Sequence, residues 1–167
     1  MSKQTKIEFD VLSLWQAMDA KRQEMGFSET EMMDDLNRVN NQRVPMALET
    51  VKNMVRRRDT TCQHALHMLR WLNETPESFL SPLEEKTHLP FSSDKRLYWS
   101  MAALGEAVAE KKKNKGLTWK QVADELGCSQ NQASGIQKLR YGMSVHLAMR
   151  VTRWLGRSST EFIRQID

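Results

Sequence analysis

The sequence predicts an all-α fold made of two tandem modules of about five helices each, and three observations lead to this prediction. Serine or threonine followed three residues later by glutamate or glutamine marks three helix starts, at Ser28, Thr118 and Ser129. Apolar residues after these starts recur every three or four positions, as they do along one face of a helix. Finally, residues of the first half of the chain reappear in the second half at a constant spacing.

This internal repeat defines the two modules. At an offset of 90 residues the matching pairs are Leu14 and Leu104, Ala17 and Ala107, Gly26 and Gly116, Ser28 and Thr118, Asp34 and Asp124, and Leu36 and Leu126. At an offset of 83, Arg70-Trp71-Leu72 and Phe79 recur as Arg153-Trp154-Leu155 and Phe162. Matching spacing over so many positions predicts two copies of one helical module, at residues 8–80 and 96–167.

The helices of the first module follow from periodicity and from breakers. Apolar residues in 9–24 have a helical period, and Gly26 is expected to end that helix. The change of offset from 90 to 83 places seven extra residues within 37–46, where they lengthen the turn or the second helix. A further helix is predicted at about 47–57, and a last short helix at 77–80.

Residues 81–95 are predicted to be a linker. Three of the four prolines of the chain lie within 73–95, and proline excludes helix continuation and biases the residue before it toward extended conformations. The apolar residues Leu83, Leu89 and Phe91 predict that the linker docks on a module instead of swinging free.

In the second module, residues 116–137 contain two capped helix starts separated by a sharp turn. Gly127 supplies the residue that can adopt positive φ between the two helices. Two helices joined so closely must cross steeply, as in a helix-turn-helix. On the second of them, predicted over 129–139, Ala133 and Ile136 face inward, while small and amide side chains face outward.

This stretch resembles the helix-turn-helix of the lambda-repressor/Cro-like (XRE) family. The shared pattern is Gly-Leu-Thr, Val-Ala, Leu-Gly and Ser-Gln-x-x-(small)-x-x-Ile, which stands here from Gly116 to Ile136. Residues 101–115 resemble the first helix of that family, and residues 144–163 resemble its last two. The resemblance implies a fold whose second motif helix enters the major groove, in regulators that bind as dimers to palindromic sites with half-sites about one turn apart.

The candidate DNA contacts of the second module divide into two groups. Gln130, Asn131 and Ser134 are predicted to contact base edges, since Gln and Asn present a donor and an acceptor that match adenine in the major groove. Contacts to phosphate are predicted for a second group of mostly polar and cationic residues. These are Thr118, Trp119, Lys120, Gln137, Lys138 and Arg140. Gly135 is expected to leave room for close approach to the groove.

The first module is left with two alternatives, DNA or protein. At an offset of 82, Leu48 and Glu49 take the places of Gln130 and Asn131. An apolar group and a carboxylate suit a phosphate-lined groove poorly, whereas three consecutive arginines could contact phosphate. The candidate contacts of this module, to DNA or to protein, are Arg43, Leu48, Glu49, Lys52, Arg56, Arg57 and Arg58.

Two further features of the second module each have two interpretations. The run Lys111-Lys112-Lys113-Asn114-Lys115 ends a helix, where lysines either complement the helix dipole or attract phosphate. Trp119 follows the Thr118 cap and is expected to be partly exposed. It either packs along the sugar edge of the DNA backbone or forms a wedge against the linker.

The distribution of charge favours a nucleic-acid partner for the second module. Residues 96–167 carry 12 Lys and Arg against 6 Asp and Glu, whereas residues 1–80 carry 11 against 12. No apolar run approaches the ~20 residues needed to span a bilayer, and the N-terminus lacks the apolar core of a signal peptide. We therefore expect no membrane partner and a cytoplasmic location, nucleoid-associated if the source is bacterial.

Catalytic and metal-binding alternatives find little support in the sequence. Cys62, His64 and His67 put three potential metal ligands on one helix, but a fourth ligand at suitable spacing is missing. The repeat equivalents of the first two are the apolar Val145 and Leu147. The sequence contains no glycine-rich phosphate loop, nucleophile elbow or zinc-protease motif. We expect no enzymatic activity, no cofactor and no bound metal.

These inferences predict a repressor-like, sequence-specific transcriptional regulator of prokaryotic or phage type whose partner is double-stranded DNA. Two modules in one chain could mimic a dimer, and a homodimer stays open. The competing class is a protein-interaction module, such as an antitoxin, antirepressor or inhibitor, that uses the same fold to bind a protein. The salt dependence of binding separates the two classes.

Overall fold

The computed structural model describes residues 6–41, 44–83, 85–92, 95–139 and 143–166. Over these residues the chain is mostly helical, with eight α-helices, three 3-10 helices and four short strands. The α-helices are α1 (Val11–Glu24), α2 (Glu29–Asn40), α3 (Leu48–Arg57), α4 (Cys62–Leu72), α5 (Met101–Lys115), α6 (Trp119–Leu126), α7 (Gln130–Ser134) and α8 (Val145–Leu155). The 3-10 helices are Pro76–Phe79, Ile136–Lys138 and Ser159–Phe162. The strands are β1 (Glu8–Phe9), β2 (Leu80–Ser81), β3 (Arg96–Trp99) and β4 (Ile163–Ile166).

Most of these helices begin at the residues where local sequence signals predict a helix start. The capping boxes at Ser28, Thr118 and Ser129 are all formed, each with both reciprocal hydrogen bonds. Gly127 ends α6 at φ +70°. The extra residues of the first half lengthen α2, which has 12 residues against 8 in α6, and also the connection from α2 to α3.

The prediction of a purely helical fold is incomplete, because the described residues also form two small antiparallel sheets. β1 pairs with β2, and β3 pairs with β4. Phe9 lies opposite Leu80, and Trp99 lies opposite Ile163. Strands of two to four residues carry too little alternation to be seen in the sequence, and each pairs with a strand that is distant along the chain.

The N-terminal half (8–81) and the C-terminal half (96–166) each contain the same two tertiary contacts. One contact joins the N-cap residue of the first helix to the last residue of the 3-10 helix, and the other places a lysine over a tryptophan ring. The backbone pairs are Asp10 N to Phe79 O (2.8 Å) and Ser100 N to Phe162 O (2.7 Å). The cation–π pairs are Lys21 with Trp71 (4.2 Å to the ring centroid) and Lys111 with Trp154 (4.0 Å). The sequence repeat is therefore also a repeat of contacts.

The segment between the halves docks against them only in part. Leu89 is buried and Phe91 is partly buried against the core, as predicted, but Leu83 is exposed. The guanidinium group of Arg70 donates hydrogen bonds to two carbonyls of this segment, at 2.6 and 2.9 Å. Among the described residues, no helix combines the length and apolar character needed to cross a membrane.

Candidate nucleic-acid interface

A three-residue connection, 127–129, joins α6 to α7. The Ser129 hydroxyl accepts a hydrogen bond from Gln132 N at 3.1 Å, and the Gln132 side chain accepts one from Ser129 N at 2.9 Å. Leu126 at the end of α6 and Ala133 on α7 are both buried. One side of α7 is thereby held against the core, so its other side faces outward.

The three predicted base contacts lie on the outward side of α7. Gln130, Asn131 and Ser134 are all exposed. Residues three and four apart are neighbours on a helix surface, so Ser134 lies beside both amide side chains. The structure thus brings these three side chains together on one short, capped helix.

The predicted helix over 129–139 is too long. α7 ends at Ser134, and a 3-10 turn follows over Ile136–Lys138. A Cβ atom on Gly135 would lie 2.8 Å from the carbonyl oxygen of Asn131, so the turn itself requires a glycine here. The break follows from this tight turn and from close packing of the next residues against α5.

That packing depends on a second glycine, Gly105 of α5. A Cβ atom there would lie 2.4 Å from Cγ of Gln137 and 3.0 Å from its backbone nitrogen. The segment after α7 therefore approaches α5 more closely than a side chain at position 105 would permit. Gln137, a predicted phosphate contact, is exposed but also packs against this helix.

The other predicted phosphate contacts differ in their exposure and in their hydrogen bonds. Lys120 and Lys138 are exposed. The Thr118 hydroxyl accepts a hydrogen bond from Gln121 N at 3.2 Å, and a hydroxyl that accepts still carries a proton to donate. Arg140, and Arg43 of the N-terminal half, lie outside the described residues.

The lysine run at the end of α5 is divided between two environments. Lys111 lies over the Trp154 ring and donates to the Trp154 carbonyl, and burial lowers the pKa of its ammonium group. Lys112 lies 5.1 Å from the ring centroid of Trp119, which is partly buried, as predicted. Lys113 and Lys115 are exposed. Half of the run therefore packs on tryptophans, and the other half is presented to solvent.

Arg150 of α8 braces the connection between α6 and α7, and sequence reasoning missed it. Its Nη1 donates to the carbonyls of Leu126 at 3.1 Å and Gly127 at 3.3 Å, which belong to the end of α6 where carbonyls lack helical partners. Its Nη2 reaches Oε1 of Glu8 at 3.4 Å. No local sequence pattern predicts this role of Arg150, because its hydrogen-bond partners lie 23 to 142 residues away along the chain.

In the N-terminal half, α3 presents charge and not an apolar surface. Leu48 is half-buried against the core, so the expectation that it faces outward is wrong in part. Glu49 and Lys52 are exposed on this helix. The arginines that follow, Arg56, Arg57 and Arg58, are exposed as well, and Arg56 also donates to the Asn53 side chain.

Cys62, His64 and His67 all lie on α4, where Cys62 is buried and the two histidines are partly buried. Burial raises the pKa of the Cys62 thiol to about 12, and burial together with His64 lowers the pKa of His67 to about 4. Among the described residues, no three His, Cys, Asp or Glu side chains are arranged to hold a metal ion.

The chain matches no protein-family model, no curated protein and no solved structure. Its functional assignment therefore depends on the chemistry and geometry of its own surface. The outward side of α7, together with the exposed Lys120 and Lys138, is the surface whose chemistry best indicates a ligand.

Proposed function

We propose that the protein contains two tandem helix-turn-helix modules and acts as a repressor-like transcriptional regulator that binds double-stranded DNA in a sequence-specific manner. The observation that carries this proposal is the outward side of α7. It presents Gln130, Asn131 and Ser134 together, while Ala133 is packed in the core.

The chemistry of these side chains suits base edges in the major groove. A side-chain amide donates to N7 of adenine and accepts from its N6 amino group, and a serine hydroxyl can form a hydrogen bond with either base of a pair. A five-residue helix is short, but its capping box and Arg150, through the preceding turn, fix its direction. A side chain that contacts bases needs such fixed placement, because the free energy needed to order a mobile helix and its side chains on binding lowers the affinity.

Phosphate contacts would come from residues on both sides of α7. Thr118 and Lys120 lie at the start of α6, Lys138 lies just after α7, and all three are exposed. The excess of basic residues in the C-terminal half supplies the positive field that draws a polyanion to this surface.

A protein partner is the second candidate, and acidic residues of the N-terminal half favour it. Glu29, Glu31 and Asp34 are exposed on α2, and Glu49 is exposed on α3. Such a surface suits a basic protein partner, of the kind that an antitoxin or antirepressor would engage. The half-buried position of Leu48 removes the apolar contact that such an interface would use as an anchor.

Selection of random duplexes by the full chain tests the proposed function. We expect wild type to enrich a motif that contains adenine, and Gln130→Ala/Asn131→Ala to lose the adenine preference. The control variant is Gln16→Ala/Gln23→Ala, which removes two exposed amides of α1 and should keep the motif.

The same duplexes should be measured at several salt concentrations. Affinity should fall steeply as salt rises, because phosphate contacts release counterions. If no motif is enriched and binding is weak even at low salt, the DNA proposal fails and the protein-partner candidate takes its place.

A further inference from the structure

The two halves meet through reciprocal backbone hydrogen bonds. Cys62 N donates to Met143 O at 2.7 Å, and Val145 N donates to Thr60 O at 2.9 Å. At the offset of 83 that relates the halves, Cys62 corresponds to Val145 and Thr60 to Met143. Each of the two hydrogen bonds is therefore the counterpart of the other. The residues between them, Thr61 and Ser144, form an isolated antiparallel bridge. Contacts of i with j and of j with i are the mark of a twofold axis.

The packing around this bridge follows the same reciprocal scheme. α4 packs on β3, α8 packs on β1, and the two helices contact each other. On one side Gln63 accepts from Trp99 N at 3.0 Å. On the other side His146 sets its ring edge-on to Phe9, with centroids 6.5 Å apart. The side chains differ, but the elements that meet are equivalent, so the halves resemble the subunits of a symmetric dimer.

A separate contact joins the two 3-10 helices that end the halves. Ser159 donates from both its backbone nitrogen and its hydroxyl to the Glu77 carboxylate, each at 2.6 Å. Hydrogen bonds to an ionised acceptor are the stronger kind. With the central bridge and the Arg150 to Glu8 contact, this holds the halves in one relation.

We call α3 and α7 the reading helices. Each precedes its side of the bridge along the chain: α3 ends at Arg57, three residues before Thr60, and the 3-10 turn after α7 ends at Lys138, five residues before Met143. A twofold axis brings equivalent helices to the same height, with equivalent faces toward the same side. If α7 faces a duplex along this axis, α3 faces it too. B-DNA has twofold axes of its own, and twofold readers align with them.

The two reading helices carry different chemistry at equivalent positions. In the reading helices the buried Val51 and Met54 match the buried Ala133 and Ile136, so the offset there is 82 and not 83. At this offset Asn131 corresponds to Glu49 and Ser134 to Lys52, and these four side chains are exposed. A carboxylate accepts from the amino group of cytosine, and lysine donates to O6 and N7 of guanine. The half-site under α3 would therefore contain G·C pairs, in contrast to the adenine expected under α7.

We infer that one chain is a complete two-site reader, which binds as a monomer to a duplex with two unequal half-sites at fixed spacing, one read by α7 and the other by α3. This inference rests on the proposed function. It makes the first module a second DNA reader, whose exposed Arg56 and Arg57 lie at the equivalents of Lys138 and the residue after it.

The test uses the full chain on selected duplexes, with the mass of the complex measured in solution. The expected motif has two different blocks and binds one chain per duplex. Gln130→Ala/Asn131→Ala should erase one block and Glu49→Ala/Lys52→Ala only the other, each with a loss of about 10- to 100-fold in affinity. Insertion of five base pairs between the blocks turns one half-site to the opposite face of the duplex, and should reduce affinity about as far as deletion of a block.

The alternatives are distinguishable. A motif with one block that is indifferent to Glu49→Ala/Lys52→Ala overturns this inference but leaves the proposed function standing. Two identical blocks bound by two chains, or binding that tolerates the five-base-pair insertion, also overturn it. Enrichment of no motif refutes the proposed function and this inference with it.

Discussion

Gly105 shows how a single residue can position the candidate interface. Glycine inside a helix costs about 1 kcal/mol relative to alanine, so helix propensity alone predicts that Gly105→Ala stabilises α5. The contact distances to Gln137 predict the reverse, because one of the atoms in the way is backbone. Overpacking of this kind costs typically about 1–3 kcal/mol.

We therefore expect Gly105→Ala to lower the free energy of unfolding by up to about 2 kcal/mol net and to weaken DNA binding by displacing the turn after α7. Thermal unfolding and duplex affinity measure the two effects. The control Ala102→Gly, at an exposed position of α5, reports helix propensity alone. An increase in Tm for Gly105→Ala would contradict the packing argument.

Two lysines illustrate the difference between a structural and a phosphate-binding cation. Lys138→Ala should reduce the slope of log affinity against log salt by about 1, because one phosphate contact is lost. Lys111→Met should lower Tm through the loss of the Trp154 contacts and leave the slope unchanged. Equal slopes for Lys138→Ala and wild type would remove Lys138 from the interface.

At the scale of elements, α7 depends on its cap more than a longer helix does. An isolated helix of five residues is unstable in water, and the Ser129 capping box satisfies two of its end groups. The same box at Ser28 begins the 12-residue α2. Loss of either serine hydroxyl should cost about 1 kcal/mol of stability, but the consequence for binding should differ.

Ser129→Ala is therefore expected to reduce specific DNA affinity by at least about tenfold and to speed amide exchange within α7. Ser28→Ala should lose comparable stability with little change in affinity. Ser129→Thr, which retains a capping hydroxyl, should restore binding. The capping argument fails if Ser28→Ala and Ser129→Ala weaken binding equally.

Elements with local signals could be predicted from the sequence, and elements set by distant contacts could not. The starts of α2, α6 and α7 follow from capping boxes, and the side chains of α7 follow from periodicity. The end of α7 depends on the approach of Gln137 to Gly105. The strands, the split of the lysine run and the brace formed by Arg150 all depend on partners far along the chain.

At the scale of the whole molecule, the contact between the halves contains a histidine that must stay neutral. Gln63 accepts from Trp99 N, so its amide nitrogen faces the Leu97 carbonyl at 3.2 Å and Nε2 of His67 at 3.1 Å. The His67 nitrogen must then accept, which only the neutral ring can do. Burial, with a smaller effect of His64, holds the pKa of His67 at about 4.

This pKa predicts a loss of stability in acid. The folded state binds its proton near pH 4 and the unfolded state near pH 6.5, so the free energy of unfolding falls as pH falls between these values, by up to about 3 kcal/mol. His67→Gln should flatten this part of the profile in denaturant titrations, whereas His88→Gln, at an exposed position, should not. An unchanged profile for His67→Gln would contradict the assignment.

The most direct test of DNA reading by α7 is the effect of one atom of the base. In a selected duplex, replacement of the contacted adenine by 7-deazaadenine removes the N7 acceptor and leaves pairing intact. We expect wild type to lose about tenfold in affinity, and Gln130→Ala/Asn131→Ala to lose nothing further on the modified duplex. If the modified base costs both proteins the same factor, the amides of α7 do not read it.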